Sequence, residues 1–368
     1  MKKIVYLCST LEQTGPTSQL FNIIKGLNRE LFHPCVVTLS PEKDKSLKIK
    51  FEEAGIDIFC LSSYPNEKIK ILAKSFYDFL NDNRVDIVHS QGIRSDYIMS
   101  KLINKTTVNW VATLRNIPYL DYPPQYGKIR GYAMALSHIT FLKKCKNIVV
   151  VSQSVKEALG NLFGKEIYAI PNGIDTEFYS NDSVFPENYQ KSTSGLFLKE
   201  NDKVLVYTGV FEERKNLRLI LDSIDKTENF KILLVGSGSQ YSMISNHPAV
   251  KNNKAILVGA VKDVRPFILS ADAFILLSKA EGLPNSVLEA LSLDRPVILS
   301  DIGPHREIHA LSSGCSHLID IKNEEALSAF LNEDFDKWKG SIISGESRMV
   351  VERNFSSTVN SLRYQKLY

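Results

Sequence analysis

The chain alternates short apolar runs rich in β-branched residues with longer stretches in which apolar positions recur at helical spacing. In the first half nearly every strand-like run is followed by a helical segment. Such alternation is typical of a doubly wound parallel sheet with helices on both faces. The predicted strands of this half cover residues 3–8, 35–39, 56–61, 86–89, 108–113 and 147–151.

The same pattern restarts after a polar stretch around residues 181–194. Because the two halves are similar in pattern but share no sequence repeat, they predict two Rossmann-like domains, 1–178 and 179–353, facing a central cleft. Residues 354–368 are expected to form a last helix that packs back on the first domain. A Ser154 to Glu157 capping box predicts one helix start. The predicted strands of the second half cover residues 204–208, 231–235, 255–258, 273–277 and 297–300.

Composition describes an ordinary globular protein of 368 residues, with 43% hydrophobic and 23% charged residues. No apolar run approaches the about 20 residues needed to span a bilayer, and the amino terminus lacks a signal-peptide pattern. We therefore expect a cytoplasmic protein. The five cysteines form no C-x-x-C pair, which argues against disulfides and a zinc site and favours buried thiols.

The net charge of +4 is unevenly distributed. Residues 1–180 carry 23 Lys and Arg against 17 Asp and Glu, whereas the remainder carries 22 against 24. A basic first half facing an anionic partner is one interpretation, and an ordinary solvated surface is the other.

Two carboxylates, Glu281 and Glu289, flank a predicted helix start in which Pro284 suits the first helical position. A diphosphate fits the positive end of such a helix. The two carboxylates can then accept hydrogen bonds from polyhydroxylated groups at either end of one ligand. An ordinary surface helix with two Glu residues is the alternative. The backbone N–H groups expected to face the anion belong to Leu283, Asn285 and Ser286.

Other nucleotide sites fit the sequence poorly. The turn that begins at Gly236 lacks the third glycine of G-x-G-x-x-G, and no P-loop motif occurs. NAD enzymes and P-loop ATPases are therefore disfavoured. The D-x-D string at Asp334 and Asp336 lies in a polar helical stretch, so we expect a solvated helix face there rather than a metal-bound diphosphate.

Several spaced motifs occur in a recognisable order: residues 171–175, 209–217, 235–238, 257–259, 271–273, 281–301 and 303–307. Together they resemble the family 4 retaining glycosyltransferases, or glycosyl transferases group 1, of the GT-B fold. The resemblance extends over nearly the whole chain.

The resemblance implies roles for individual residues on the donor side. Glu289 would bind the ribose hydroxyls of the nucleotide. Arg214 and Lys215 would clamp the diphosphate, Glu281 would lie near the donor sugar, and these last three are the implied catalytic residues. Two cations at the positive end of a helix are locally unfavourable, so a bound anion would resolve that conflict. Further implied donor contacts are Gly15 in the loop after the first strand, Gly209, Gly236, the base-pocket residues Val261 and Lys262, and the cradle residues Gly282, Leu283, Pro284, Asn285 and Ser286.

The chain departs from the family at two positions. Val210 stands where the family usually has an arginine, and Arg214 is expected to supply the missing charge. Arg115 replaces the histidine of a Thr-x-His motif and puts a permanent cation on the acceptor side. His89 matches the family's usual position, although a histidine at a strand end is often structural.

An aromatic and basic segment, residues 115–132, is predicted to be a long loop running into a helix on the acceptor side. Its tyrosines, Tyr119 and Tyr122 among them, can lie against sugar rings, while Lys128 and Arg130 can meet a lipid phosphate. A packed structural loop is the alternative.

The resemblance thus implies a retaining enzyme that moves a sugar from a nucleotide-diphosphate sugar to a growing, lipid-linked surface glycan of capsule or O-antigen type. We expect weak binding to an anionic membrane at the inner face of the plasma membrane, no metal or other cofactor, and no nucleic-acid partner. Two alternatives stay open: a nucleotide-sugar 2-epimerase of the GT-B fold, and a non-catalytic partner subunit, which the Val210 and Arg115 departures keep open.

Overall fold

The computed structural model describes residues 1–183, 198 and 201–368. The chain forms two compact units, Met1–Gly173 together with Ser357–Tyr368, and Ile174–Ser356. The units therefore divide after Gly173 and Ser356, whereas the predicted domain boundaries followed residues 178 and 353. The polar stretch around residues 181–194 lies for the most part outside the described residues.

The first unit is built on a parallel sheet. Within its described residues, seven strands run in the order β3-β2-β1-β4-β5-β6-β7. The strands are β1 (Lys2–Cys8), β2 (Phe32–Thr38), β3 (Asp57–Cys60), β4 (Ile87–Gln91), β5 (Asn109–Leu114), β6 (Asn147–Val150) and β7 (Tyr168–Ala169). The helices are α1 (Gly15–Lys25), α2 (Lys48–Glu53), α3 (Ile69–Asn83), α4 (Ile93–Leu102), α5 (Pro118–Tyr126), α6 (Lys128–Leu142) and α7 (Gln153–Phe163).

Alternation along β1 shows how this sheet is buried on both faces. Val5 and Leu7 pack into one apolar cluster, while Ile4 and Tyr6 pack into another. Successive strand residues point to opposite faces, and helices cover both faces of a parallel sheet. The strands therefore read as near-continuous apolar runs, which is why the sequence identifies them.

The second unit repeats the architecture. Among its described residues, six parallel strands run in the order β10-β9-β8-β11-β12-β13. The strands are β8 (Lys203–Thr208), β9 (Phe230–Val235), β10 (Ala255–Gly259), β11 (Ala273–Leu276), β12 (Val297–Ser300) and β13 (Ser316–Ile319). The helices are α8 (Leu217–Asp225), α9 (Tyr241–Ser245), α10 (Pro248–Lys251), α11 (Arg265–Leu269), α12 (Asn285–Ser292), α13 (Gly303–Leu311), α14 (Ala326–Ala329), α15 (Phe335–Ser341) and α16 (Glu346–Asn354).

The last helix, α17 (Ser357–Gln365), belongs to the first unit. The Ser361 hydroxyl donates to the Ile23 carbonyl of α1 at 2.8 Å. Tyr364 and Tyr368 are buried in the cluster that also contains Ile4 and Tyr6. The core of the first unit is therefore made from both ends of the described chain.

The structure corrects several local predictions. The cap of α7 is Ser152, whose hydroxyl accepts from the Val155 N–H at 3.2 Å, whereas the predicted cap, Ser154, lies inside the helix. Strands β7 and β13 are unpredicted because one has two residues and the other begins with polar residues. Cys60 is exposed, unlike the other four cysteines, which are buried as expected. No helix in the described ranges is long and apolar enough to cross a membrane.

Candidate active site

Lys215, Arg214 and Glu281 meet beyond the ends of β8 and β11. The Lys215 Nζ lies 2.6 Å from Glu281 Oε1, and the Arg214 Nη1 lies 3.1 Å from Glu281 Oε2. The side chains of Glu281 and Lys215 are only 8% and 11% exposed. The Lys279 N–H donates to the Arg214 carbonyl at 2.8 Å and so joins the two loops through their main chains. The structure thus brings together all three predicted catalytic residues.

These ion pairs fix the charge state of Glu281. Burial pushes its pKa upward, but Lys215 and Arg214 outweigh burial and hold the pKa below its ordinary value. For Arg214 the signs are reversed. Burial lowers its pKa, but the carboxylates of Glu281 and Glu212 outweigh burial and raise the pKa above its ordinary value. The positive charges of Arg214 and Lys215, which precede α8, are therefore neutralised by Glu281 and Glu212. The sequence had suggested that a bound anion neutralises them. A phosphate placed here would share both cations with Glu281.

The second carboxylate, Glu289, lies in the second turn of α12. The helix begins at Asn285, and its cap is Pro284 in an extended conformation (φ −75°, ψ 119°). Pro284 was predicted as the first helical residue but is the cap, one residue before the helix, because its fixed φ also suits an extended cap. Leu283 and Pro284 are buried, whereas Gly282, Asn285 and Ser286 are partly exposed at the amino end of the helix.

Tyr179 lies against Glu289, and no sequence pattern indicated this contact. Its hydroxyl donates a hydrogen bond to the Glu289 carboxylate. Its carbonyl accepts from the Ser292 hydroxyl at 2.7 Å and from the Arg348 Nη1 at 2.9 Å. The carboxylate of Glu289 is buried, although the residue as a whole is partly exposed. Burial accordingly raises its pKa to about 7, and the hydrogen bond from Tyr179 acts in the opposite direction.

The predicted base-pocket loop follows β10. Val261 is partly buried and Lys262 is exposed. A little further on, the Arg265 Nη2 donates to Asp263 Oδ2 at 2.7 Å, and its Nη1 donates to the Phe178 carbonyl at 2.8 Å. The guanidinium also lies 3.9 Å from the centre of the Phe178 ring. This loop is therefore fastened to the segment that carries Tyr179.

Two predicted glycines pack loops together at the carboxyl edge of the second sheet. Gly209 and Gly236 have φ values of +145° and +150°. A Cβ on Gly236 would lie 1.9 Å from the Gly209 carbonyl oxygen, so a side chain cannot be accommodated there.

Val210, where the family usually has arginine, is exposed. Gly15 is the first residue of α1 rather than a loop residue, and Thr14 caps that helix.

His305 of α13 lies close to this site. It belongs to the 303–307 motif, but no role was predicted for it from the sequence. Its Nδ1 is 3.0 Å from the Ser300 hydroxyl. Its Nε2 is buried and has no hydrogen-bond partner in the part of the chain that the structure describes. Burial lowers its pKa to about 4, with Glu281 acting in the opposite direction. A neutral imidazole therefore lies within electrostatic reach of the Glu281 pair.

In the first unit, His89 is a core residue. It is fully buried, and its two ring nitrogens lie 2.7 Å from the Tyr368 hydroxyl and 2.7 Å from the Thr113 hydroxyl. Burial lowers its pKa to about 3, and Arg115 contributes in the same direction. Arg115 itself donates to Asn172 Oδ1 at 2.8 Å and to Gln91 Oε1 at 3.2 Å. Both ring nitrogens of His89 are thus already engaged within the protein.

The predicted acceptor loop is helical instead. Pro118 opens α5, and Gly127 separates it from α6. The Tyr122 hydroxyl lies 2.7 Å from His138 Nδ1, with the two rings nearly parallel, and the Tyr119 hydroxyl donates to the Ala158 carbonyl at 3.3 Å. Both predicted acceptor tyrosines therefore hold α5 in place.

The D-x-D string shows no metal site. Asp336 of α15 is exposed and pairs with the Lys203 Nζ at 2.6 Å. Among the residues that the structure describes, no group of three or more His, Cys, Asp and Glu could hold a metal ion.

Comparisons with known proteins match this chain to a family. A sequence profile described as Glycosyltransferase Family 4 matches residues 14–178, and one described as Glycosyl transferases group 1 matches residues 202–333. The O-antigen biosynthesis glycosyltransferase WclY of Escherichia coli is 24% identical over 373 residues, covering 100% of this chain and 98% of WclY. The capsular polysaccharide biosynthesis glycosyltransferase CapH of Staphylococcus aureus is 26% identical over 336 residues, 84% of each chain.

The fold agrees with solved structures. Anabaena Alr3699/HepE in complex with UDP-glucose matches with a TM-score of 0.80 at 16% identity, covering 100% of this chain and 99% of that chain. Two parallel, doubly wound units of this kind define the GT-B fold. The chain belongs to the family 4, group 1 glycosyltransferases, and it is accordingly an enzyme of glycosyl transfer.

Proposed function

We propose that this enzyme transfers a sugar, with retention of configuration, from a nucleotide-diphosphate sugar to a growing lipid-linked surface glycan. The observation that carries the donor assignment is the buried pair of Lys215 and Glu281, joined by the more exposed Arg214, in the unit that also holds Glu289. The names of WclY and CapH, which refer to O-antigen and capsular polysaccharide, support a surface glycan as the product.

The chemistry follows from where negative charge develops. As the bond from the sugar to the diphosphate breaks, charge grows on the leaving oxygen, and preorganised cations nearby stabilise that state. Lys215 and Arg214 are preorganised because Glu281 holds both of them. The amino end of α12 would add its backbone dipole to the phosphate site.

Retention is proposed without a protein nucleophile. Both oxygens of Glu281 accept hydrogen bonds from cations, and its depressed pKa makes it a poor base. In the proposed step, the acceptor oxygen bonds to the anomeric carbon on the face that the phosphate leaves. The acceptor's proton passes to the departing phosphate oxygen. Glu281 and Glu289 therefore act as binding and positioning groups.

The ribose end of the donor is assigned to Glu289. Its carboxylate can accept from the ribose hydroxyls while Tyr179 donates to it from the protein side. The base would lie against the loop of Val261 and Lys262. We propose that this site needs no metal ion, because the two cations already lie where diphosphate charge must be offset. Transfer that persists in excess EDTA would agree with this, whereas loss restored by Mg²⁺ would contradict it.

The enzymatic test uses the purified chain with a panel of UDP-, GDP- and dTDP-sugars. Free nucleotide is followed with and without a lipid extract, and the anomeric configuration of the product is read by NMR. Release that depends on the extract and retains configuration supports the proposal. A changed sugar formed without any acceptor would instead identify a nucleotide-sugar 2-epimerase, and an inverted product would exclude retention.

A further inference from the structure

Helix α6 is apolar on two opposite faces. One face packs into the first unit through buried residues that include Ala135, Ile139 and Leu142. The opposite face carries Ile129 and Leu136, whose exposed fractions are 91% and 69%. An ordinary surface helix turns one apolar face inward and a polar face to water, so the outer face of α6 calls for a separate explanation.

The exposed apolar residues form a stripe. At about 100° per residue, positions 129, 132, 133, 136 and 140 fall on one side of the helix. Ile129, Tyr132 and Leu136 are the large apolar members, and Tyr132 is 57% exposed. Tyr126, also exposed, adjoins the stripe, because the Arg130 guanidinium lies 5.8 Å from the centre of its ring. The apolar surface is therefore continuous over about two turns.

The flanks of this stripe carry one sign of charge. Lys128 and Arg130 are exposed and project about 100° to either side of Ile129. Between residues 122 and 156 the sequence contains six Lys and Arg and no Asp or Glu. Lys143 and Lys146 are also exposed just beyond the carboxyl end of α6. An apolar stripe with basic flanks is complementary to an anionic bilayer.

The outer face is held rigidly from beneath. The His138 ring lies 2.7 Å from Tyr122 of α5 and 2.7 Å from Asp96 Oδ2 of α4, and Asp96 Oδ1 in turn accepts from the Ser90 hydroxyl at 2.5 Å. α5 lies so close to α6 that a Cβ on Gly131 would come within 2.4 Å of the α5 backbone. The stripe is therefore a fixed surface, which reduces the ordering cost of docking.

We propose that the outer face of α6, with Ile129, Tyr132 and Leu136 at its centre and Lys128 and Arg130 at its flanks, docks the enzyme on an anionic phospholipid bilayer. A second copy of the chain fits less well, because two such faces would bring like charges together. This inference deepens the proposed function, since a lipid-linked acceptor lies at a membrane. Its readout is vesicle binding and requires no turnover.

The experiment is co-sedimentation of the full chain with vesicles of phosphatidylglycerol and phosphatidylcholine, compared with pure phosphatidylcholine. We expect binding that requires the anionic lipid and weakens with salt, because each basic residue acts within a Debye length of about 8 Å. Ile129→Ser with Leu136→Ser should reduce partitioning at least about tenfold, since two large apolar side chains no longer enter the membrane interface. Lys128→Gln with Arg130→Gln should weaken the salt dependence, and Lys143 and Lys146 should supply what remains.

The matched control is Ile49→Ser on α2, which changes an isoleucine of 68% exposure outside the stripe and should leave partitioning unchanged. Equal loss in the control, or undiminished binding of the α6 double variant, would overturn the proposal. A concentration-dependent dimer in sedimentation analysis that the α6 variant abolishes would assign the face to a second copy. Donor affinity is measured for every variant. Lost vesicle binding with intact donor affinity supports the docking face even if no transfer activity is found.

Discussion

Lys215 and Glu281 form a 2.6 Å ion pair in the second unit, between a residue that follows β8 and one that follows β11. Those strands are neighbours in the sheet, so their carboxyl ends bring the two loops together. Both side chains are nearly inaccessible, and Arg214 occupies the other oxygen of the same carboxylate. The pair therefore fixes the lysine at the position where we place the leaving diphosphate.

Lys215→Ala should slow transfer much more than it weakens donor binding. Loss of a preorganised charge at the leaving group typically costs about 10² to 10³ in turnover. The measurement is steady-state kinetics, with donor affinity and thermal unfolding recorded to show that the variant is folded. Lys279→Ala removes an exposed neighbouring lysine and serves as the control. A raised Michaelis constant with intact turnover would make Lys215 a binding contact and favour Arg214 as the catalytic cation.

Glu289→Ala should weaken binding of the free nucleotide diphosphate, because the ribose hydroxyls lose a charged acceptor. The expected cost is about 1.5 to 3 kcal/mol, the range for hydrogen bonds to charged groups. Calorimetry measures it directly. The control is Glu325→Ala, which removes a surface carboxylate paired with Lys226. Unchanged affinity of the Glu289 variant would remove this residue from the donor site.

Donor binding should strengthen as pH rises through about 7. The pKa of Glu289 is raised to about 7, so its carboxylate form, the better acceptor of two hydroxyls, predominates above that pH. If only this form binds, affinity should change up to about tenfold between about pH 6 and about pH 8. Calorimetry with Glu289→Gln isolates the effect from ionisation of the nucleotide phosphate. An identical pH profile for Glu289→Gln would show that Glu289 is not the titrating group.

Tyr179→Phe should move the same profile to higher pH. The hydroxyl of Tyr179 stabilises the charged form of Glu289, so its removal raises the carboxylate pKa further and delays ionisation. Affinity at high pH should fall much less than affinity near pH 7. Tyr241→Phe, at an exposed tyrosine of the same unit, is the control. A uniform loss of affinity at every pH would mean that Tyr179 only shapes the pocket.

Asp96→Ala should destabilise the first unit without changing donor affinity. Asp96 accepts from Ser90 and lies against His138, and all three are buried. Leaving buried polar partners unsatisfied costs about 2 to 4 kcal/mol. Urea unfolding measures the change, and Asp82→Ala at an exposed site is the control. Equal stabilities would show that this network contributes little.

Sequence patterns predicted the strands because both faces of each sheet are buried, which makes strands such as β1 continuous apolar runs. The family resemblance placed Lys215 and Glu281 on the donor side, and their contact is explained by the parallel strands, which place their following loops at one edge of the sheet. Tyr179 could not be found this way, because its bond to Glu289 depends on tertiary folding and on no sequence spacing. The prolines of α5 favoured a loop at Tyr122, yet packing against α6 and the bond to His138 make that segment helical.

The return of α17 to the first unit has a consequence for biosynthesis. A ribosome completes residues 174–356 before it adds the segment that supplies Tyr364 and Tyr368 to the core around Tyr6. The second unit is one continuous stretch of chain and can fold as it emerges from the ribosome. The first unit cannot complete its apolar core until α17 has been synthesised. We expect the first-made unit to be the last to acquire protease resistance during synthesis.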